Sequence, residues 1–276
     1  MTPASFRSLV WRTYAEQGRH DLPWRSPQLK IRKDGSVDAY RVLVSEIMLQ
    51  QTQVDRVIPL YKNFIAQFPT VKKLADAPLS AVVRNWQGLG YNRRAKMLQQ
   101  AARLIVVNGM PREVAALEQL PGIGSYTARA IAAFAFNEDV LVVETNIRTA
   151  IIHHFFEEAE KVPDTEIEKI LEKVLPKGRA REWYSALMDY GASLKRLGIS
   201  HNARSTTHVR QAAFVGSLRE VRGAVVRELT KGPCSLRNCQ KLFSSSRQAQ
   251  VEEALRALCA EGLVRRERGM YRLVED

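Results

Sequence analysis

The chain of 276 residues is poor in cysteine: Cys234, Cys239 and Cys259, all late in the sequence, are its only three. They form no C-x-x-C pair and have no metal-ligand spacing, so they read as reduced, partly buried thiols of a cytosolic protein. No apolar run approaches the length of a membrane span; the run from Ala128 to Val143 is broken by Asn137, Glu138 and Asp139. The N-terminus has no apolar signal core. Strand-forming patterns before residue 260 are weak and few, and there is no internal repeat or low-complexity segment. No His/Cys/Asp cluster has metal spacing, and His153-His154 reads as a pair of packing residues. The expectation is therefore an all-α protein without metal or membrane, located in the cytoplasm.

What the chain has is positive charge. The net charge is +13, which suggests a polyanionic partner, most often nucleic acid. The excess is spread along the chain: 12 Lys+Arg against 8 Asp+Glu from residue 216 onward, and 30 against 21 before it. Both parts could touch phosphate.

Apolar spacing predicts a helix over Phe6–Gln17, then a break at HDLPWR (His20–Arg25) fixed by Pro23, and an exposed polar loop over Ser26–Asp38. Tyr40–Phe68 reads as one long helical region. It contains SEIMLQQTQV (Ser45–Val54), where Glu46 sits among apolar neighbours and Gln50-Gln51-Thr52 follows. Pro78 opens a helix through Trp86, and Gly88-Leu89-Gly90-Tyr91 makes a flexible turn before a helix carrying Arg93, Arg94 and Lys96. Helices are also expected over Ile147–Glu157, Asp164–Leu175 and Ala180–Leu197. The basic stretch Lys195–Arg210 reads as a loop, on a DNA-facing side or merely solvated.

The stretch around which the chain is organised is LEQLPGIGSYTARAIAAFAF, Leu117 to Phe136. Pro121 and Gly122 stop one helix, Gly124 keeps the backbone bare, and Ser125 can cap the next. Backbone N–H groups at a helix N-terminus make an anion site, and for a basic protein a DNA phosphate is the evident anion. From residue 218, three helices followed by two short β-like runs (Leu263–Glu267 and Met270–Val274) suggest a winged helix-turn-helix. The expected division is a first domain over 1–215 and a winged-helix domain over 216–276.

SEIMLQQTQV followed by LPGIGSYTA, together with DLPWR and GLGY, closely resemble the MutY-like adenine glycosylases that act on A·G and A·8-oxoguanine mismatches. These belong to the helix-hairpin-helix superfamily that includes endonuclease III. The resemblance covers roughly Phe6 to Ala192. It implies a two-lobed, all-α glycosylase fold, double-stranded DNA with a mismatch or lesion as partner, and a flipped-out target base, since a stacked base hides its glycosidic bond. A monomer at the nucleoid is expected.

The resemblance assigns Glu46 as the catalytic glutamate. Excising a purine needs an acid for the leaving base and an anion for the oxocarbenium-like sugar. An apolar setting should raise the pKa of Glu46 and suit it as the acid. Glu144 is the second carboxylate, at the start of a helix where an anion is favoured. Gln51 and Tyr91 match residues that enter the helix stack; Gly122, Gly124, Ser125 and Asn146 join them as DNA contacts. Trp24 and Arg25 match the base pocket. Tyr126, counted with the catalytic residues, occupies the position where bifunctional members carry a nucleophilic lysine. Without that amine no Schiff base forms there, so water is the expected nucleophile.

Three departures stand out. Glu144-Thr145-Asn146 replaces the usual D-G-N, which lengthens the acidic side chain by one bond, roughly 1.5 Å. Ser193–Arg210 contains no cysteine where relatives hold a [4Fe–4S] cluster, so no cluster and no other cofactor are expected. The winged-helix module stands where relatives have a Nudix-like domain reading 8-oxoguanine. The residues thus leave three readings open: a monofunctional adenine mismatch glycosylase, a glycosylase for another base (T or U opposite G, or a damaged base), and a catalytically inactive DNA-binding protein.

Overall fold

The computed structural model describes residues 1–25, 29–206 and 213–275. In chain order these form α1 (Pro3–Gln17), α2 (Ala39–Leu49), α3 (Val54–Gln67), α4 (Val71–Asp76), α5 (Leu79–Asn85) and α6 (Arg93–Asn108). There follow α7 (Val114–Leu117), α8 (Ser125–Phe136), α9 (Thr145–Phe155), α10 (Asp164–Val174) and α11 (Ala180–Arg196). The C-terminal part contains α12 (Leu218–Lys231), β1 (Cys234–Ser235), α13 (Leu236–Gln240), α14 (Gln248–Ala260), β2 (Val264–Glu267) and β3 (Met270–Leu273). No described helix is long and apolar enough to cross a membrane.

The chain divides into two compact units: residues 1–46, 112–119 and 123–210, and residues 47–111, 120–122 and 211–276. The first unit is built on a core of Phe6, Val10, Ile147, Ile151, Trp183, Tyr184 and Leu187, all essentially without exposure. Aromatic edges lock it: Phe6 meets Phe155 at 5.1 Å and Trp183 at 6.3 Å between ring centroids, both edge-on. Thr2 caps α1 by accepting from Ser5 N, with Pro3 in the first turn. Arg181 ties α11 to the end of α8 through the carbonyls of Phe134 and Ala135, and to the loop carbonyl of Gly35.

In the second unit, α3 to α6 surround Phe64, Leu74, Val82, Trp86 and Leu98, all fully buried. The C-terminal residues belong to this unit. Leu79 N donates to the Glu275 carbonyl at 3.0 Å, and Lys96 Nζ donates to the Glu261 carbonyl at 2.7 Å, at the end of α14. The three strands form an antiparallel sheet in the order β1-β3-β2. Cys234 and Cys239 are buried beside one another, and burial first, then the neighbouring Cys234, pushes the Cys239 thiol up to about 12. That is an unreactive thiol.

The structure departs from the local expectations at several points. The region Tyr40–Phe68 is two helices, not one, because the chain breaks over residues 50–53 and Gln51 takes a positive φ of 54°. Ser125 is the first residue of α8 rather than its cap; Gly124 holds the cap position, with no side-chain bond. A 3-10 turn at Ser245–Arg247 precedes α14, and Arg247 holds its cap position. Pro78 caps α5 instead of occupying its first turn. The loop expected to be exposed over Ser26–Asp38 is anchored by buried Leu29, Ser36 and Val37, while residues 26–28 lie outside the described residues. Of the basic stretch Lys195–Arg210, residues 207–210 also lie outside them.

One close approach sets where α11 crosses α9. A Cβ on Gly191 would lie 2.0 Å from the backbone oxygen of Asn146. Only glycine fits, because both groups are backbone-fixed. Gly191→Ala is expected to cost about 1–3 kcal/mol or more through overpacking, read as a lower urea midpoint. An unchanged midpoint would show that the two helices separate at no cost.

Candidate active site

Glu46 lies on α2, whose sequence AYRVLVSEIML is apolar almost all round and correspondingly buried. Its residue exposure is 7 %. Burial raises its pKa from 4.5 to about 7; the Arg25 cation lowers it and the Glu144 charge raises it further. No hydrogen bond from a described residue acts on the carboxyl. Such a group keeps its proton near neutrality and has it free to give.

Glu144 stands at the N-terminus of α9. The run Val140–Val143 leading to it is not a strand. It is held by Tyr184, whose hydroxyl donates to the Val140 carbonyl at 2.8 Å and accepts from Val142 N at 3.2 Å. The Glu144 side chain then curls back on its own helix. Oε1 accepts from Asn146 N at 2.8 Å and Ile147 N at 2.9 Å, and Oε2 accepts from Asn146 Nδ2 at 3.2 Å. Part of the extra bond length is thus absorbed in capping, with a carboxylate where the helix favours negative charge. Its charge reaches both Glu46 and Tyr126.

Tyr126, in the first turn of α8, is 39 % exposed along its ring. Its hydroxyl is nevertheless deep enough that burial, then Glu46 and Glu144, push its pKa well up, against Arg148. The phenol therefore stays protonated, within electrostatic reach of both acids. Arg148 is held by Asp164 in a two-pronged pair at 2.7 Å on each prong.

Arg25 and Trp24 lie in the same unit, and Trp24 is 9 % exposed. Arg25 Nη1 donates to Asp189 Oδ2 at 2.8 Å, and Arg19 engages the same carboxylate through its backbone N and guanidinium. Burial would raise the pKa of Asp189, but Arg25 and Arg19 hold it below the usual range. Asp189, which reading the sequence did not single out, is buried on α11 and anchors Arg25 beside the acids.

The other sequence-assigned residues lie elsewhere. Gln51, Tyr91 and Gly122 belong to the second unit, and Gly124, Ser125 and Asn146 to the first. Gln51 and Tyr91 are both exposed and both have positive φ, 54° and 47°. That conformation costs about 1–3 kcal/mol for a residue with a Cβ and marks functional positions more often than packing ones. Gly122 also has positive φ, 81°, and a Cβ there would lie 2.9 Å from Met97 Cβ.

The [4Fe–4S] cluster implied by the resemblance does not fit this chain. Where it would need thiolates, Arg204 donates to the carbonyls of Phe156, Glu157 and Ala159, and His201 stacks on His153 at 5.6 Å. His154 is likewise a packing residue, with Nε2 2.6 Å from the Tyr190 hydroxyl. No group of described residues is arranged to hold a metal ion.

Residues 44–177 match the HhH-GPD superfamily of base excision DNA repair proteins. The chain is 36 % identical over 272 residues to an adenine DNA glycosylase of Mycolicibacterium smegmatis, covering 91 % of this chain and 90 % of that one. It is 31 % identical over 275 residues to an adenine DNA glycosylase of Mycobacterium tuberculosis, covering 91 % and 88 %. Among solved structures, a thermostable thymine-DNA glycosylase superposes with a TM-score of 0.59 at 26 % identity, over 69 % of this chain and 86 % of that one.

Two outcomes follow from the setting of Glu46. Folded Glu46 holds its proton between pH 4.5 and about 7, where the unfolded chain releases it. Stability therefore falls as pH rises through that interval. Glu46→Gln should stabilise the protein by up to about 3 kcal/mol at pH 8 and by little at pH 4, measured in urea melts at both pH values. Arg25→Ala removes a cation that favours ionised Glu46, so the carboxyl should titrate above pH 7 in a carbon-13 NMR titration. A downward shift would mean that Arg25 does not act on Glu46.

Proposed function

The chain belongs to the HhH-GPD superfamily of base excision DNA repair proteins, and from that membership we propose that it excises adenine mispaired with guanine or 8-oxoguanine in duplex DNA. It is a DNA N-glycosylase. The observation that carries the proposal is the buried carboxyl of Glu46, whose pKa burial raises to about 7, in the same unit as the helix-capping carboxylate of Glu144.

The chemistry follows from that pair. The target nucleotide leaves the stack, because the glycosidic bond is otherwise out of reach. Glu46 gives its proton to the purine, turning a poor anionic leaving group into a neutral one. As the bond to C1′ breaks, positive charge develops on the sugar, and Glu144 steadies it from a fixed position at the end of α9. Water completes the displacement. Tyr126 offers no amine, so no covalent enzyme–sugar adduct forms there and the strand is left intact at an abasic site. Trp24 and Arg25 line the base, with Arg25 aimed by Asp189. Gln51 and Tyr91 enter the gap. The backbone around Gly122, Gly124 and Ser125 and the side chain of Asn146 grip the strand. A nucleoid location follows from a duplex DNA substrate.

A second reading is favoured by the structural neighbour that is a thymine-DNA glycosylase: the same acids, acting on T opposite G. Duplexes with a single A·8-oxoguanine, A·G, T·G or U·G pair separate the readings. After incubation and hot alkali, strand scission at A·8-oxoguanine and A·G supports the proposal; scission confined to T·G or U·G replaces it. Scission without alkali would show a lyase and remove the water mechanism. Glu46→Gln should lower excision by at least about 10² while the affinity for mismatched duplex stays within a few-fold. Purified protein is expected to be colourless and free of stoichiometric iron.

A further inference from the structure

Tyr91 is held from two sides by arginines. From within α6, the Arg94 guanidinium lies 5.5 Å from the ring centroid and donates to the carbonyls of Leu89 and Gly90, the two residues just before the tyrosine. From α12, Arg219 reaches the same side chain. Its Nη1 donates to the Tyr91 hydroxyl at 2.8 Å and its guanidinium carbon lies 5.7 Å from the ring centroid. Both arginines and the tyrosine belong to one unit.

We propose that Arg219 is a positioning residue for Tyr91, which makes the C-terminal module part of the apparatus that reads the mismatch. The proposal rests on the reading that Tyr91 enters the DNA. Tyr91 is exposed and sits in a left-handed backbone conformation, so both its backbone and its ring have other arrangements to fall into. Arg94 fixes the backbone, since it grips the carbonyls before the residue. It cannot fix the far end of the ring. Arg219 does that, through the hydroxyl and the ring face at once. A side chain already set in its inserting position loses less conformational freedom when DNA binds. Arg219 is half-buried on the module's first helix, 128 residues away in sequence, and Nη2 also donates to the Ala213 carbonyl at 3.4 Å. The guanidinium is thereby aimed by its own module.

The test is a double-mutant cycle on mismatched duplex, with Arg219→Ala, Tyr91→Ala, the double variant and Arg219→Lys. Each is measured as kcat/KM on A·8-oxoguanine, and thermal melts confirm folding. Arg219→Ala should lower kcat/KM about tenfold, mainly through KM, and Arg219→Lys, which keeps a cation and a donor, should recover most of the loss. On the Tyr91→Ala background, Arg219→Ala should cost nothing more. Equal losses with and without Tyr91 would overturn the proposal and leave Arg219 a plain phosphate contact, as would an Arg219→Ala variant equal to the parent. If instead Tyr91→Ala alone leaves kcat/KM unchanged, the insertion of Tyr91 is the reading that fails.

Discussion

A carboxyl group kept out of water, with no salt bridge to it among the described residues, is the constraint on which the candidate active site depends. Burying an ionised carboxylate costs several kcal/mol unless a cation compensates, so Glu46, buried on α2, holds its proton up to about pH 7. The nearby cation could have undone this. A guanidinium pairing directly with Glu46 would have favoured ionisation and removed the acid. Asp189 prevents that by taking Arg25 for itself, along with Arg19. Two cations on one buried carboxylate leave Arg25 able to temper Glu46 without neutralising it. Glu144 has a different setting, because its own helix supplies backbone donors to its side chain. Two acids in one unit are thus driven apart in role by their surroundings, and differing roles are what bond breaking at a glycosidic centre requires.

The second unit solves a different problem, which is to keep two exposed residues in strained backbone conformations. Gln51 and Tyr91 each carry positive φ, at about 1–3 kcal/mol apiece. Arg94 links their loops. Its guanidinium donates to the carbonyls of Ile47, Met48 and Gln50 on one side and of Leu89 and Gly90 on the other. Hydrogen bonds from a charged donor contribute roughly 1.5–3 kcal/mol each, so several of them outweigh the strain. Burial lowers the pKa of Arg94 to about 10, which still leaves it charged at neutral pH. Lysine could not do the same, since a single ammonium lacks the planar fork that spans both loops.

Much of this was legible in the sequence. The glycine hairpin, the apolar setting of Glu46 and the position of Glu144 before a helix are local signals, and the all-α fold follows from helical spacing. The break at residues 50–53 was not legible: Gln50-Gln51-Thr52-Gln53 interrupts the apolar spacing, but none of the four is a strong helix breaker. Its cause is Arg94, forty residues on, collecting carbonyls that a continuous helix would have used. Arg94 itself stood beside Arg93 and Lys96 on one helix and was not singled out from them. The clue was its helical phase: Arg94, Leu98, Ala101 and Ile105 lie on one face, which is buried, while Arg93 is exposed. Asp189 and Arg219 act through partners more than a hundred residues away, a pairing that no local pattern encodes.

The segment after α11 shows how a fold closes the same corner with different chemistry. A metal cluster ties chain together through thiolates, and this stretch has none to offer. In their place Arg204 sits at the C-terminal end of α9, where the last carbonyls of a helix lack partners and a positive charge is favoured. It donates to Phe156, Glu157 and Ala159, Lys161 Nζ returns a bond to the Ala203 carbonyl at 2.7 Å, and Val162 N closes on the Arg204 carbonyl at 2.8 Å. Each of these groups would otherwise be an unsatisfied backbone carbonyl or an unpaired cation. One guanidinium and a short run of backbone bonds therefore suffice to hold the segment against α9. In this corner the scaffold that carries the acid at the head of α9 is tied by hydrogen bonds from Arg204 and Lys161.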